Sequence, residues 1–391
     1  MIFTNNIISK KVQFNLSEEQ ILIRDSAREF AQNDLLPGVI ERDELQHFPD
    51  NLVKKMGDLG FMGIMVDSIY GGSGMDTLSY VLIMEELSKV DASASVMVSV
   101  NNSLVCYGIE KFGSEKQKNK YLPKLSTGEW IGAFCLSEPE AGSDATSQMT
   151  VAIEDGDYYV LNGTKNWITN GGRSKVYIVI AQSNKSKGHK GLNAFIVERE
   201  TPGFTIGPKE NKLGIRGSDT HTLMFNDVKI PKENRIGEDG FGFKLAMKAL
   251  SGGRIGIAAQ ALGIAAGAYE LSLKYSKERK AFGKEISKHQ AISFKLAEMA
   301  TDIEAARLLV YKAALQKDNN ENYDISSAMA KLYASKVAMK HTVEAVQIHG
   351  GNGFVKDYHV ERMMRDAKVT QIYEGTSEIQ KIVISRDILK D

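Results

Sequence analysis

The sequence has few cysteines and no excess of charge of either sign. Only Cys106 and Cys135 occur among its 391 residues, so neither a disulfide framework nor a cysteine metal cluster can form, and a reducing compartment is expected. Lysine plus arginine and aspartate plus glutamate number 49 each. A nucleic-acid-binding protein would be expected to carry a basic surplus, so this composition argues against a nucleic-acid ligand.

Signals for export or membrane insertion are also missing. No run of 18 uncharged apolar residues occurs, which predicts that the chain does not insert into a membrane. The stretch from Met1 to Gln20 lacks the apolar core of a secretion signal and the Arg-rich, acid-poor pattern of a transit peptide. We therefore expect a cytoplasmic protein, or a mitochondrial matrix protein if a presequence has been removed.

The common nucleotide, metal and hydrolase motifs are absent as well. The chain has no G-x-G-x-x-G after a predicted strand and no G-x-x-x-x-G-K-[ST], which disfavours a Rossmann site and a P-loop. Its one Glu-x-x-His, Glu44 to His47, has no second copy with which to build a two-metal site, so we expect no metal. The absence of G-x-S-x-G disfavours a serine hydrolase.

Helical and strand patterns follow one another in three blocks. They predict a helical domain over residues 1–128, a β domain over 129–240 and a second helical domain over 241–391. Because the strands do not alternate with helices, the predicted fold is α+β and mostly α, not a parallel Rossmann sheet. We expect a barrel-like or sandwich arrangement in the β domain and a four-helix bundle in the last domain.

The boundaries of individual elements follow from the same patterns. Ser17 and Gln20 have the spacing of a capping box at the first helix. Further helices are predicted over Asn51 to Leu59, Leu78 to Lys89, Ser93 to Phe112, Glu115 to Leu125, Lys244 to Ser251, Ile255 to Arg279, His289 to Lys317 and Ser326 to His349. Strands are predicted over Tyr158 to Leu161, Val176 to Ala181, Ala194 to Val197 and Thr222 to Phe225.

Four segments rich in Gly, Ser or Thr remain as candidates for chemistry. In the first, Phe134 to Asp144, backbone N–H groups can bind a phosphate or a ring oxygen, Gly142 permits close approach, and Ser143 adds a hydroxyl donor. An ordinary turn from a strand into a loop is the alternative interpretation of these residues.

The second segment runs from Trp167 to Gly172. Strand alternation places Trp167 and Thr169 on one face, and a flat aromatic beside a hydroxyl suits an isoalloxazine ring. A tryptophan that merely packs is the alternative. The other two segments, Gln347 to Gly351 and Tyr373 to Glu378, lie at predicted helix ends, where a C-cap followed by an N-cap would explain them equally.

Together these segments resemble the acyl-CoA dehydrogenase family, nearest to its short-chain, butyryl-CoA type, over essentially the whole chain. Ser99 to Leu104 also looks like the short-chain members. The most specific parts are Leu136 to Asp144, Asn166 to Gly172, Glu278 to Gly283 (ERKAFG), Gln347 to Gly351 and Ile372 to Gln380 (IYEGTSEIQ).

The resemblance implies an FAD-dependent enzyme that converts a short-chain acyl-CoA to the trans-2-enoyl-CoA. Glu374 would take the α-proton while the β-hydrogen leaves as hydride to the flavin. The electrons would pass to an electron-transferring flavoprotein. The resemblance also implies a homotetramer, a dimer of dimers, in which each FAD is held by the β domain and by the partner's C-terminal helices.

Site residues carry over position by position. The residues implied for the flavin ring and pyrophosphate are Phe134, Leu136, Ser137, Gly142, Ser143, Trp167, Ile168 and Thr169. Those implied for the adenosine half, from a neighbouring subunit, are Arg279, Gln290, Gln347, Ile348, His349, Gly350 and Gly351, with Thr376, Ser377 and Glu378 completing that pocket. Those implied for the acyl-CoA are Ser143, Ser251, Gly252, Gly253, Arg254 and Gly375.

At two positions, Ser251 and Gly253, this chain differs from some members of the family that it resembles. Close relatives usually carry Asp where this chain has Ser251, which brings no charge, and a solvated helix residue is the alternative interpretation. Some members take their base from the residue just before the arginine equivalent to Arg254. That residue is Gly253 here, which has no proton acceptor, so Glu374 is left as the base.

Other functions remain as alternatives. An acyl-CoA oxidase usually needs a much longer chain. A dehydrogenase of branched-chain or aromatic acyl-CoA would share the same segments. A catalytically silent scaffold of the same fold is disfavoured by the complete flavin segments and by Glu374.

Overall fold

A computed structural model of the chain describes residues 16–390, and the structural statements below concern that range. Most of the stretch from Met1 to Gln20, on which the predicted lack of a targeting signal depends, lies outside the described residues.

The N-terminal part of the described chain is helical. Two π-helical segments, Ala31–Leu35 and Val100–Cys106, continue α-helices. The α-helices are α1 (Glu18–Phe30), α2 (Val39–Leu45), α3 (Asp50–Asp58), α4 (Thr77–Ser88), α5 (Ala92–Ser99), α6 (Tyr107–Phe112) and α7 (Glu115–Ser126).

The predicted capping box is confirmed at the start of α1. The hydroxyl of Ser17 accepts a hydrogen bond from the Gln20 backbone at 3.2 Å, and the Gln20 side chain accepts one from the Ser17 backbone at 3.0 Å. The predicted helix from Ser93 to Phe112 is helical throughout, but its centre, Val100–Cys106, is π-helical rather than α-helical.

Two buried asparagines attach this π-helical segment to its surroundings. Asn102 donates to the carbonyl oxygen of Phe61 at 2.9 Å and accepts from the Ile64 backbone at 3.0 Å. Asn101 accepts from the Gly132 backbone at 3.0 Å, at the first residue of the sheet. These bonds satisfy buried backbone groups and fix the segment against the next part of the chain.

The middle part forms a sheet with the order β6-β7-β3-β2-β4-β5-β8, and β1 pairs with β4 in parallel. The predicted strands are present but longer, because each extends beyond its β-branched centre. The strands are β1 (Gly132–Cys135), β2 (Val151–Asp155), β3 (Tyr158–Thr169), β4 (Val176–Gln182), β5 (Leu192–Glu198), β6 (Phe204–Lys209), β7 (Thr220–Pro231) and β8 (Arg235–Ile236).

Strand β4 is buried on both faces. Tyr177 and Val179 point into a core formed by the sheet itself, whereas Ile178 and Ile180 belong to the larger core that includes the helices. Successive side chains of a strand point to opposite faces, so one strand serves both cores. Its continuous apolar run is the pattern expected for such a strand.

The C-terminal part is again helical. It contains a short hairpin, β9 (Lys280–Ala281) and β10 (Lys284–Glu285), and the helices α8 (Gly242–Glu278), α9 (Gln290–Asp318), α10 (Asp324–His349), α11 (His359–Val369) and α12 (Ser377–Ile388). The predicted α+β fold, mostly α, is confirmed.

The predicted division of α8 into two helices is wrong. The helix runs without a break through Gly252 and Gly253, and both residues are buried. Gly253 serves close packing here, because a Cβ there would lie 2.4 Å from Glu374 Oε2. By length and composition α8 is able to cross a membrane, but 83% of its apolar window is buried inside the protein, which is the environment of a core helix.

Candidate active site

A cavity of about 500 Å³ lies between the sheet and the helices. It brings together Phe134, Leu136, Ser137, Gly142, Ser143, Trp167, Ile168, Thr169, Arg254, Glu374 and Gly375. The set comprises every residue implied for the flavin ring, the implied base and part of the implied acyl-CoA site. Residues from four separate stretches of the sequence therefore meet at one place.

Apolar side chains form much of the remaining wall. Val100 and Leu104 come from the π-helical segment, and both lie within the stretch Ser99 to Leu104 that looks like the short-chain members. Met247 and Leu250 come from α8. The asparagine contacts described above therefore hold the segment that carries Val100 and Leu104. An apolar wall favours an apolar ligand and lowers the local dielectric constant.

The loop after β1 is held by a buried ion pair that the sequence prediction missed. Lys165 is 0% exposed and Glu138 1%. The Lys165 ammonium donates to Glu138 Oε1 at 2.6 Å, to the Leu136 carbonyl at 3.1 Å and to the Gln148 side chain. Glu138 also accepts from the Met149 backbone at 2.6 Å. The loop that carries Ser137 to Ser143 is thus tied at both ends to β3.

The two charges of this pair are affected by burial in different ways. Burial lowers the pKa of Lys165 to about 8, although the Glu138 charge opposes it, so the ammonium form predominates at neutral pH. Burial also disfavours the Glu138 carboxylate, but the Lys165 charge and the hydrogen bonds outweigh it and hold the pKa of Glu138 below its usual range. The pair is therefore ionised in the folded protein.

Trp167 stands out from a bulge of β3. Its backbone has φ +57°, and the register of β3 against β7 shifts between Lys165 and Ile168. The Trp167 side chain is 58% exposed, whereas Ile168 is only 3% exposed. The alternative that Trp167 packs in the core of the chain is wrong, and its ring is available at the cavity.

Glu374 lies in the turn between α11 and α12. The residue is partly exposed, but its Oε2 atom is buried and has no hydrogen-bond partner. Burial raises the pKa of Glu374 to about 7, and the charges of Lys331 and Arg254 partly oppose this. A carboxyl group that is half ionised near neutral pH suits a general base.

The turn itself has left-handed backbone geometry, with φ +55° at Glu374 and +85° at Gly375. The Gln380 side chain donates to the Glu374 carbonyl at 3.2 Å and to the Gly375 carbonyl at 2.8 Å. Thr376 caps α12, as the cap interpretation of this segment predicts. That interpretation does not describe Glu374, because a solvated cap residue would not have a buried, unpaired oxygen.

Ser251 lies in a second cavity, of about 660 Å³, beside α8. Its side chain is buried, with 6% exposed, and its hydroxyl donates to the Met247 carbonyl at 3.2 Å. The interpretation of Ser251 as a solvated helix residue is therefore wrong. A Cβ at Gly252 would lie 3.7 Å from Lys317 Nζ, another residue of this second cavity.

The remaining residues implied for FAD are not brought to the first cavity. Arg279 and Gln290 are exposed near the hairpin, and Gly350 has φ +60° at the C-cap of α10, as the cap interpretation predicts. His349 is buried and stacks on Tyr275, with ring centroids 4.3 Å apart. Thr376, Ser377 and Glu378 line a surface depression of about 750 Å³ with Gln371 and Ile372. Within one chain, Arg279, Gln290 and the Gln347 to Gly351 segment therefore lie apart from the proposed flavin ring.

Models of three protein-family domains match almost the whole chain. The acyl-CoA dehydrogenase N-terminal, middle and C-terminal domains match residues 17–129, 133–228 and 240–389. The short-chain specific acyl-CoA dehydrogenase of Clostridium acetobutylicum is 52% identical over 97% of this chain and 100% of the relative. The short-chain specific enzyme of Rattus norvegicus, which is mitochondrial, is 48% identical over 96% of this chain and 91% of the relative.

Solved structures agree with these matches. Butyryl-CoA dehydrogenase from Megasphaera elsdenii superimposes with a TM-score of 0.95 at 50% identity, covering 97% of this chain and 100% of its own. A second match is a chain in a structure that was solved to study the electron transferring flavoprotein of Acidaminococcus fermentans and flavin-based electron bifurcation. It superimposes with a TM-score of 0.96 at 52% identity and covers 97% of this chain and 100% of its own. A glutaryl-CoA dehydrogenase from Mycobacterium smegmatis in complex with FADH2 matches at 0.91 and 32% identity, covering 96% and 95%.

Proposed function

The chain belongs to the acyl-CoA dehydrogenase family, and from this we propose that it oxidises a short-chain acyl-CoA, butyryl-CoA foremost, to the trans-2-enoyl-CoA with FAD as cofactor. The resemblance seen in the sequence is confirmed, and with it the enzyme class, an oxidoreductase. The observation that carries the proposal is the position of Glu374: its unpaired carboxylate oxygen lies in the cavity lined by the residues implied for the flavin.

The residues of the first cavity fit a flavin. The exposed Trp167 ring offers a flat surface, and Ser137, Ser143 and Thr169 offer hydroxyl groups. A Cβ at Gly142 would have nothing within 4 Å, so a ligand can approach the backbone there. FAD supplies the acceptor for the hydride, which side chains alone do not.

The chain's own residues would handle the proton and the developing charge. The α-C–H beside a thioester is a weak acid, so it needs a base at close range, and Glu374 is placed to accept that proton. We propose that the Glu374 backbone N–H donates to the thioester oxygen as negative charge develops there. The apolar side chains Val100, Leu104 and Met247 limit the water in the cavity, which strengthens both interactions.

The acyl-CoA would extend from the first cavity toward the second. Ser143, Arg254 and Gly375 line the first cavity together with Glu374, and Gly253 lies against the Glu374 carboxylate. Ser251 lines the second cavity instead, so its contact would be with the CoA part rather than with the thioester. Its hydroxyl would offer a hydrogen bond there without adding a charge.

We further propose a homotetramer in which a neighbouring subunit supplies Arg279, Gln290 and the Gln347 to Gly351 segment to each FAD. Two large aromatic side chains near these residues support this arrangement: Phe282 is 96% exposed and Phe354 87% exposed. Exposed aromatics of this size mark surfaces that another surface covers. An electron-transferring flavoprotein is the proposed electron acceptor, and the cytoplasm or matrix remains the predicted location.

Replacement of Arg279 with alanine should weaken FAD retention more than acyl-CoA binding. Loss of a charge-assisted hydrogen bond costs about 1.5–3 kcal/mol, which corresponds to about a tenfold or larger rise in the Kd for FAD. The ratio of bound flavin to protein after gel filtration, and FAD titration of the apoprotein, measure this. Lys277→Ala, which removes an exposed charge two residues earlier in α8, is the control and should keep its flavin. Equal flavin content in both variants would contradict the assignment.

A panel of straight and branched acyl-CoAs tests the function itself. We expect the highest kcat/KM with butyryl-CoA and a fall of about tenfold or more for chains several methylenes longer, since each mismatched methylene is worth about 1–3 kcal/mol. Rates are measured with an artificial electron acceptor and with an electron-transferring flavoprotein. A maximum on a long or branched substrate would favour the alternative dehydrogenases, and a protein that takes up no FAD would favour the silent scaffold.

A further inference from the structure

Lys331 is a buried cation beside the proposed base that the sequence prediction did not assign. It belongs to α10 and is 0% exposed. Its ammonium group donates to the carbonyl oxygen of Gly375 at 2.6 Å. Gly375 directly follows Glu374, so Lys331 holds the turn that presents the base.

This turn depends on such contacts because its backbone is unusual. Glu374 has φ +55°, a conformation that residues with a side chain rarely adopt. A residue held in that region persists only where its surroundings fix it. Lys331 from α10 and Gln380 from α12 both donate to the Gly375 carbonyl, so two elements fix the same oxygen.

The charge of Lys331 also acts on Glu374. The hydrogen bond of Lys331 goes to a neutral carbonyl, so its charge is balanced through space by Glu374 and, less strongly, by Glu378. Burial lowers the pKa of Lys331 to about 8, which leaves the ammonium form predominant at neutral pH. Of the cations that favour the Glu374 carboxylate, Lys331 has the larger effect and Arg254 the smaller.

The other titratable groups facing Glu374 do not replace this charge. Tyr80 of α4 and Tyr373 of the same turn are neutral at physiological pH, since the ordinary pKa of a phenol is far above 7 and burial raises the pKa of both further. Arg254 of α8 supplies the second positive charge, and burial lowers its pKa from the usual value without neutralising it.

We propose that Lys331 is a positioning residue that holds the Glu374–Gly375 turn through the Gly375 carbonyl and places a positive charge that favours the carboxylate form of the base. This inference rests on the proposed function, because it concerns how Glu374 accepts a proton. Lys331 contacts neither substrate nor cofactor in this role, and acts through Glu374.

The pH dependence of flavin reduction tests the charge. In wild type the single-turnover rate with butyryl-CoA should rise with pH and be half-maximal near 7, because only the carboxylate accepts the proton. In Lys331→Met the half-maximal point should move to higher pH by about one unit or more, since an adjacent opposite charge lowers a carboxyl pKa by about 1–3 units. Lys331→Gln, which is also neutral, should show the same shift.

Lys312→Met is the matched control. Lys312 is an exposed residue of α9 outside the site, and its variant should keep the wild-type pH profile. An unchanged profile in both Lys331 variants would overturn the proposal. A purely structural role would lower the rate at all pH values without moving the midpoint.

A second measurement uses thermal unfolding and does not need turnover. Glu374→Gln leaves Lys331 buried without its main opposite charge, which is costly. Adding Lys331→Met to Glu374→Gln should therefore raise the melting temperature at pH 7 by about 1–3 °C, whereas Lys331→Met alone should not raise it. If the melting-temperature change of the double variant equals the sum of the changes in the two single variants, the proposal is overturned. If no acyl-CoA reduces the wild-type flavin, the proposed function fails, while this thermal test still decides the role of Lys331.

Discussion

Glu374→Gln should reduce the rate of flavin reduction by butyryl-CoA at least about 10²–10⁴-fold, the contribution of general base catalysis. Glutamine keeps the size of the side chain and its reach for hydrogen bonds, but it has no basic lone pair. FAD content and acyl-CoA affinity should stay near those of wild type, because the turn is fixed through backbone carbonyls by Lys331 and Gln380. Stopped-flow absorbance of the flavin measures the reduction rate.

The structure also identifies why no second base is expected to rescue this variant. Gly253 of α8 lies against the carboxylate and has no side chain, and a Cβ there would lie 2.4 Å from Glu374 Oε2. Glu298→Gln, on the exposed surface of α9, serves as the control for loss of a carboxylate and should reduce flavin at the wild-type rate. Flavin bleaching by Glu374→Gln at anything near that rate would refute the assignment.

Lys165→Met should produce the largest loss of stability among the changes considered, about 3–5 kcal/mol, because it leaves Glu138 buried without its counter-charge. Lys165 also donates to the Leu136 carbonyl and to Gln148, so the loop that carries Ser137 and Ser143 loses its attachment to β3. We expect a lower melting temperature and a lower flavin content together. Differential scanning calorimetry and the absorbance of bound flavin measure the two effects.

Two further variants separate the ion pair from the loss of a lysine. Lys229→Met, at an exposed position of β7, should leave both quantities unchanged. The double variant Lys165→Met/Glu138→Leu should recover part of the lost stability, because it removes the uncompensated carboxylate. The single variant Glu138→Leu completes the comparison. If the stability losses of the two single variants simply add in the double variant, the two residues are not coupled as the structure indicates.

Local features of the fold could be predicted from the sequence where a residue pattern has one common structural meaning. The capping box at Ser17 and the apolar run of β4 are examples. The break predicted at Gly252 and Gly253 was wrong because the sequence shows a helix-weakening residue but not the carboxylate that packs against it. The π-helical segment Val100–Cys106 was missed because one inserted residue hardly changes the apolar periodicity.

For the site, the resemblance identified residues that lie in recognisable sequence segments, such as Trp167 and Glu374. It did not identify Lys165 or Lys331, because most lysines are exposed and nothing in the neighbouring sequence marks a buried one. A buried lysine becomes recognisable only when its acceptor is known, and those acceptors lie 29 and 44 positions away in the chain, at Leu136 and Gly375.

Strand β4 packs the sheet directly onto the helices, because it contributes side chains to both cores. If the middle part of the chain were excised, Ile178 and Ile180 would face water instead of the larger core. The segment therefore does not behave as an interchangeable module. A chimaera that takes its sheet from a relative would also need the helical residues that pack on β4, among them Gly108, where an added Cβ would lie 3.1 Å from Ile178 Cδ1.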